Sequence, residues 1–481
     1  MGSGSRWDAG VLFLTRTVRM LAYGSTGVVL ALFLSAVGLS DREIGALLTL
    51  TLLGDSAISL WVTRHADGLG RRACLAASCL LMVLAGAVYG TVQHPSFALL
   101  LVAATVGVLS PSGNEVGPFM ALEQAVLSEL VPATARTHVF AWYNLVGYAM
   151  TAIGALAAGH ALTWAQAAYG ITAVQGYRYV FLQYAASGAV LLLMFLLLTN
   201  KVERNKQPAP AIIPAPTTRS DEEEGLRAPL LSQPAGEGIT AAATADSAPA
   251  AAAPEPPAAP AAPAAAPPQP AQPAQPDRHH DGQHRRGFLG LTPATRSLVL
   301  RMSALFSLDS LAGGLVTGTL LVYYFQTKYG VSTAYLGGLL FGANMLAAVS
   351  ALASGFVAAR LGLINTMVFT HLPSNVLMLL VPLMPSLEWA TVMVFARYSI
   401  SQMDVAPRSA YVAGVVPADE RSAAMGVINI AKSLGAAFGP LITGWLAQQG
   451  LFAWAFYLCG GGKIVYDCLL YYFFSHIHPQ H

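Results

Sequence analysis

Charged side chains recur inside apolar runs of this sequence, where a charge at the centre of a bilayer costs about 2.5–3.5 kcal/mol. In the first run Arg16, Arg19 and Tyr23 follow i, i+3, i+7 and share one helix face. In the fourth, Glu115 and Glu123 lie in or near a stretch whose Gly113, Gly117 and Pro118 can loosen a helix and turn carbonyls toward a cavity. The seventh carries Arg301 and Asp309. The tenth carries Arg397, Ser401, Asp404 and Arg408 at i, i+4, i+7 and i+11, a stripe that must face protein or water. The deeper charges Arg16, Arg19, Arg397 and Arg408 balance Glu115, Glu123, Asp309 and Asp404. Chemistry of this kind binds a polar solute or carries a proton, and the competing reading is a set of structural ion pairs. Asp404 with Arg408, and Lys463 with Asp467 in the last run, are spaced to neutralise each other, and Arg16 and Arg19 stand where they can snorkel to the membrane surface. Glu115 and Asp309 lie deeper with no local partner, so they are the first candidates for substrate or proton binding.

The elements that must position these residues are membrane spans. The 481 residues are 55% apolar and only 10% charged, against about 25% charged for a soluble domain. Runs of about 20 apolar residues, enough to cross a bilayer as helix, fall near 11–36, 43–62, 73–92, 97–129, 138–160, 178–199, 298–325, 335–358, 363–384, 390–414, 422–446 and 451–475. The expected fold is an all-α membrane protein of twelve transmembrane helices in two six-helix bundles. The first span, with Arg16 and Arg19 and no small-residue cleavage site, reads as retained rather than as a signal peptide. Lys and Arg concentrate in alternate loops, which places both termini and the middle segment in the cytosol. The four cysteines, Cys74, Cys79, Cys459 and Cys468, lie in or at the ends of spans and read as small hydrophobes, with no disulfide or metal site. A net charge of +2 implies no nucleic-acid partner, and no cofactor is expected. No nucleophile, base and orienter converge at a recognisable spacing, so an enzyme is not expected.

The spans are duplicated. Residues 38–48 and 63–75 lie over residues 330–340 and 355–367. Val131 to Thr137 recurs as Val416 to Ser422, followed by Asn144 against Asn429, Gly154 against Gly439 and Gly159 against Gly444. A repeat of membrane-spanning units points to a transporter with its site between the halves. The expected organisation is a bundle over 1–200, a disordered Pro/Ala-rich cytosolic linker over 201–290 and a bundle over 291–481. The linker reads as a spacer, or else as a docking segment. Asp55 and Lys432 lie at matching depths from the cytosolic side, and across the seam they would form a gating ion pair.

The loop after the second span resembles the signature of the major facilitator superfamily, G-x-L-A-D-R-x-G-R-K-x-x-L. Ala66, Asp67, Gly70, Arg71, Arg72 and Leu75 match it; Thr63, His65 and Gly68 depart from it. The resemblance covers all twelve spans. It implies the fold of that family, and it implies that Asp67, Gly70, Arg71 and Arg72 bind the cytosolic ends of neighbouring helices when the outer side is open. The first spans and this loop look closest to the drug-efflux-like branch.

The reading is a secondary active transporter of a small organic solute, working by alternating access and coupled to protons. Arg16, Arg19, Tyr23, Glu115, Glu123, Asp309, Arg397, Asp404 and Arg408 form its substrate and proton site, and Asp55, Asp67, Gly70, Arg71, Arg72 and Lys432 its gate. The alternatives are an uncoupled facilitator, or a membrane sensor or scaffold acting through the linker. Expected partners are a small-molecule substrate, protons and the lipid bilayer around a monomer. Plasma membrane and vacuolar or other endomembranes are both open.

Overall fold

The computed structural model describes residues 3–107, 109, 118–132, 135–199, 202–203, 291–417 and 419–476. Glu115 and nearly all of the 201–290 segment lie outside the described residues, as does the side chain of Asp67. The described residues form fifteen α-helices and no strand. In the first half these are α1 (Ser3–Ala36), α2 (Asp41–Leu69), α3 (Arg71–Thr91), α4 (Phe97–Val106), α5 (Pro118–Leu130), α6 (Arg136–Tyr169) and α7 (Ala173–Leu196). The second half has α8 (Pro293–Leu315), α9 (Gly318–Tyr329), α10 (Thr333–Leu361), α11 (Leu363–Leu380), α12 (Leu387–Tyr398), α13 (Val405–Val415), α14 (Arg421–Gln448) and α15 (Phe452–Phe474).

Among the described residues, nine spans are long and apolar enough to cross a membrane by themselves, α8 and α9 counting as one. The remaining spans are α4 with α5, α12 with α13, and α15. This is the twelve-helix, two-bundle architecture expected. Helix starts are set locally. Ser40 with Glu43, and Thr172 with Gln175, form capping boxes at α2 and α7, and Ser96, Ser332 and Ser386 cap α4, α10 and α12. The corner between second and third helices is the same in both halves, at Gly70 (φ 95°) and Gly362 (φ 81°), a backbone that a side chain would strain.

Packing repeats the sequence duplication. Within the halves α1 packs on α6 as α8 packs on α14, and α3 on α7 as α11 on α15; across the seam α2 packs on α14 as α10 packs on α6. The duplicated glycines sit at these contacts. A methyl group at Gly154 would fall 2.0 Å from the Leu21 carbonyl oxygen, and one at Gly439 would fall 2.1 Å from the Gly314 carbonyl carbon. Both therefore serve close approach inside a half. Gly159 and Gly444 serve the seam instead, each 2.4 Å by the same measure from a carbonyl of the other half, at Thr333 and Asp41. Hydrogen bonds join the halves at the same end. Tyr323 donates to Asp41, the Leu441 amide donates to the Thr49 hydroxyl at 2.9 Å, and the Ala334 amide donates to Thr163 at 3.0 Å. The seam is closed at the end opposite the α2–α3 corner.

Two spans that the sequence reads as continuous are broken. The seventh stops at Val316 and restarts as α9, whose first turn is capped by the Thr317 hydroxyl accepting from the Leu320 amide. The tenth unwinds between α12 and α13, and α10 meets the freed backbone groups. Ser350 accepts from the Gln402 amide at 3.2 Å, and Ser354 donates to the Met403 carbonyl at 2.8 Å. Irregular backbone at this depth persists because protein groups satisfy it.

Candidate functional site: a cavity between the halves

A cavity of about 300 Å³ lies between the two halves. Its first-half wall comes from α1, α2 and α6 (Tyr23, Gly27, Ser56, Tyr148, Thr151), and its second-half wall from α8 to α10, α12, α14 and α15. The breaks described above face it: Thr317, Gly318 and Thr319 open α9 into the cavity, and Gln402 lines it from the unwound tenth span. The ionic side chains of the lining are Asp309, Arg397 and Lys463.

Asp309 is the hub of a buried network. Lys463 donates to one carboxylate oxygen at 2.6 Å and Arg408 to the other at 3.0 Å. Arg408 also binds Asp404 one turn away. The His371 Nε2 lies 3.9 Å from Asp309, while its Nδ1 pairs with Asp467 at 2.8 Å. Asn375 donates to the other Asp467 oxygen at 2.8 Å. The expected Lys463–Asp467 pair is therefore not made. Residues at i, i+4 share a helix face, but α8 and α11 present each of them with a better partner across the bundle. His371, Asn375 and Lys463 are absent from the candidates read off the sequence. A lone histidine in an apolar run reads as core until its neighbours are known.

The tenth-span stripe does not act as one face, because the helix is interrupted between Arg397 and Arg408. Arg397 turns to the cavity, with its guanidinium 5.0 Å over the Tyr398 ring. Ser401 and Asp404 are buried. Arg301 is exposed, away from the network.

In the first half the candidates separate. Tyr23 lines the cavity, its ring 6.0 Å from that of Tyr184. Arg19 does not. It binds Glu123 through two hydrogen bonds of 2.7 and 2.6 Å, and both side chains are fully buried. Tyr143 and Thr15 also donate to that carboxylate, and the Phe119 ring lies 4.9 Å from the Arg19 guanidinium. Arg16 donates from Nε to the Tyr143 carbonyl at 2.8 Å and lies 4.0 Å over its ring. The stripe of Arg16 and Arg19 thus faces α5 and α6 instead of the surface or the cavity.

At the α2–α3 corner Arg71 pairs with Glu129 through bonds of 2.7 and 2.8 Å. The Glu203 carboxylate accepts the backbone amides of Arg71 and Arg72 at 2.8 and 3.0 Å, capping α3 from beyond α7. The expected gate residues Gly70, Arg71 and Arg72 here tie together helix ends of their own half. Asp55 is fully buried, and neither carboxylate oxygen has a hydrogen-bond partner among the described residues. Lys432 is half-buried among charges of its own half, Arg408 and Asp309 foremost. The expected Asp55–Lys432 pair is not made in this conformation. The neighbouring Gly54 packs on Thr105 of α4, inside the first bundle.

The sequence matches the family model "Major Facilitator Superfamily" over residues 12–403 and 398–481. It is 28% identical over 460 residues to the "Uncharacterized membrane protein YJR124C" of Saccharomyces cerevisiae, covering 95% of this chain and 92% of that one. A crystal structure of a point mutant of the nucleoside transporter NupG superposes with a TM-score of 0.63 at 12% identity, covering 97% of this chain and 99% of that one. A crystal structure of a D-xylose-proton symporter superposes at 0.62 with 11% identity, covering 97% and 98%. Duplicated bundles, paired breaks around a central cavity and the family match lead to one assignment: the chain is a multi-pass membrane protein of the major facilitator superfamily.

Proposed function

We propose that this protein is a secondary transporter that moves a small organic solute by alternating access and couples that movement to protons. The observation that carries the reading is the cavity, whose walls come from both halves and whose seam is closed at one end by the Gly45–Gly444 and Gly159–Gly337 contacts. Helices that touch through glycine can separate there without unpacking either bundle, so the halves can rock about the cavity as rigid bodies. The α2–α3 corner marks the opposite, cytosolic end.

Asp309 is the coupling residue in this reading. It is a carboxylate in the cavity wall held by two cations, with His371 3.9 Å away as a second group able to carry a proton. A proton on Asp309 would weaken its hold on Lys463 or Arg408, and the freed cation would change the charge that the solute meets. The D-xylose-proton symporter shares the fold and, by its name, couples a solute to protons.

The test is transport by protein reconstituted in vesicles, screened with a mixed pool of labelled metabolites under an imposed pH gradient. Wild type should accumulate a solute against its gradient and move protons with it, while Asp309→Asn should equilibrate the solute without accumulating it. Accumulation by both Asp309→Asn and Glu115→Gln at the wild-type level would overturn the coupling. Equilibration by wild type with no proton movement would identify an uncoupled facilitator.

A further inference from the structure

Asp309 is already neutralised from both sides by Lys463 and Arg408, and Arg408 is shared with Asp404. Arg397 is in a different position. Its guanidinium reaches the cavity, its Nε is buried with no hydrogen-bond partner, and no carboxylate among the described residues pairs with it. Leaving a guanidinium unpaired inside a membrane protein is costly, so the site is incomplete as it stands.

A second feature has the same sign. The seventh span breaks at the cavity, and α9 begins there with Thr317, Gly318 and Thr319 in the lining. The first turn of a helix presents free N–H groups and about half a positive charge, and the Thr317 hydroxyl accepts only one of them, that of Leu320. Broken membrane helices hold anionic groups of solutes in this way. Apart from Asp309 and Lys463, which pair with each other, the rest of the lining is uncharged; Tyr148, Asn344, Gln402 and Ser433 can hydrogen-bond there, between apolar and glycine positions.

We propose that the transported solute is a small organic anion, its carboxylate held by Arg397 and the N-terminus of α9, and its uncharged body hydrogen-bonded by Asn344, Gln402 and Tyr148. This rests on the transport reading of the same cavity. A guanidinium takes a carboxylate through two parallel hydrogen bonds, which supplies what Arg397 lacks. A cationic solute would add a second unpaired positive charge beside it. The volume of about 300 Å³ limits the solute to the lower end of the ligand-pocket range of roughly 300–1,000 Å³.

The experiment uses matched acid and amide pairs as probes: nicotinate with nicotinamide, benzoate with benzamide, lactate with lactamide. Affinity for purified protein is read by calorimetry and by the shift in unfolding temperature. At least one acid should bind wild type ten-fold or more tightly than its amide. Arg397→Gln should remove that preference, and Arg397→Lys, which keeps the charge but not the fork, should retain part of it. Equal binding of acids and amides, an unchanged preference in Arg397→Gln, or no acid binding to wild type would each overturn the proposal. A parallel measurement separates this from failure of the transport reading. Spin labels at Leu60→Cys and Ile430→Cys, with the exposed Cys468 replaced by Ser, report whether α2 and α14 separate. Movement without acid binding overturns the anion and leaves transport standing; acid binding with immobile labels overturns alternating access and leaves the anion site.

Discussion

Glu123 and Arg408 occupy the same place in the two repeats with opposite charge. Each lies eight residues before the valine that opens the duplicated Val-Pro-Ala sequence, at Val131 and Val416, and each binds the first helix of its own half, Glu123 to Arg19 and Arg408 to Asp309. The first-half pair is sealed: both side chains are 0% exposed, and the remaining bonds of the carboxylate go to Tyr143 and Thr15. Its counterpart opens onto the cavity and has recruited Lys463 and His371. One ancestral contact thus serves as a fastening in one half and stands at the candidate site in the other.

The sealed pair should behave as structure. Removing one partner from a buried ion pair leaves an uncompensated charge and costs about 3–5 kcal/mol. Glu123→Ala should lower stability by that amount, and Arg19→Leu with Glu123→Leu should recover most of it, as read by thermal unfolding in detergent. A double variant as unstable as the single would show that the charges themselves are needed.

The glycine contacts at the seam predict a conformational effect without loss of fold. A side chain at Gly45 would begin 2.4 Å from the Pro440 carbonyl oxygen, and one at Gly159 would begin 2.4 Å from that of Thr333. Gly45→Leu and Gly159→Leu should hold the halves apart at this end. An impermeant thiol reagent applied from that side should then label Ser56→Cys, in the cavity wall, several-fold faster than in the parent. Unchanged labelling would mean that closure lies elsewhere.

Asp55 and Lys432 are apart here, yet the register of α2 on α14 fixed by Thr49 and Leu441 brings them to similar depth. If they meet when the opposite end closes, Asp55→Lys and Lys432→Asp should each reduce transport more than ten-fold and the combined swap should restore it. No rescue in the swap would sink the pairing.

Glu203 caps α3 through two backbone amides although it lies beyond the last helix of its half. Losing a helix cap costs about 0.5–2 kcal/mol, so Glu203→Ala should lower the unfolding temperature while Glu203→Gln, which keeps one acceptor, should lower it less. Equal effects would assign the contribution to charge rather than to capping.

Much of the fold can be read from particular residues. Charge poverty and run length give the spans, because neither the chain nor the bilayer offers water to an unpaired backbone group. Repetition goes further: Gly154 with Gly439 and Gly159 with Gly444 mark helix contacts, since two copies keep a residue without a side chain where two backbones touch. The corner is legible too, from Gly70, which recurs as Gly362, and from Arg71 and Arg72, which match the family signature, although Glu129, which pairs with Arg71, and Glu203, which accepts the two amides, carry no sequence signal.

The partners of the charges could not be read. Helical spacing states that Arg16 and Arg19 share a face and that Lys463 and Asp467 share another, but it does not say which neighbouring helix that face meets. Packing rotated the first face onto α5 and α6 and divided the second, sending Lys463 to Asp309 and Asp467 to His371. The break at Val316 was hidden for a related reason, whereas Pro407 in the first turn of α13, which has no N–H for the Met403 carbonyl, marks the one after Tyr398. No proline marks the first, and the second persists because Ser350 and Ser354 of α10 satisfy its open backbone groups. The spans and the presence of costly charges are fixed residue by residue, since both follow from the transfer of single side chains out of water, and the duplication is visible in matching residues of the two halves. Which charges pair with each other, and that among the described residues Arg397 faces the cavity without a carboxylate partner, came from packing, because an ion pair depends on the mutual rotation of two helices that no local pattern encodes.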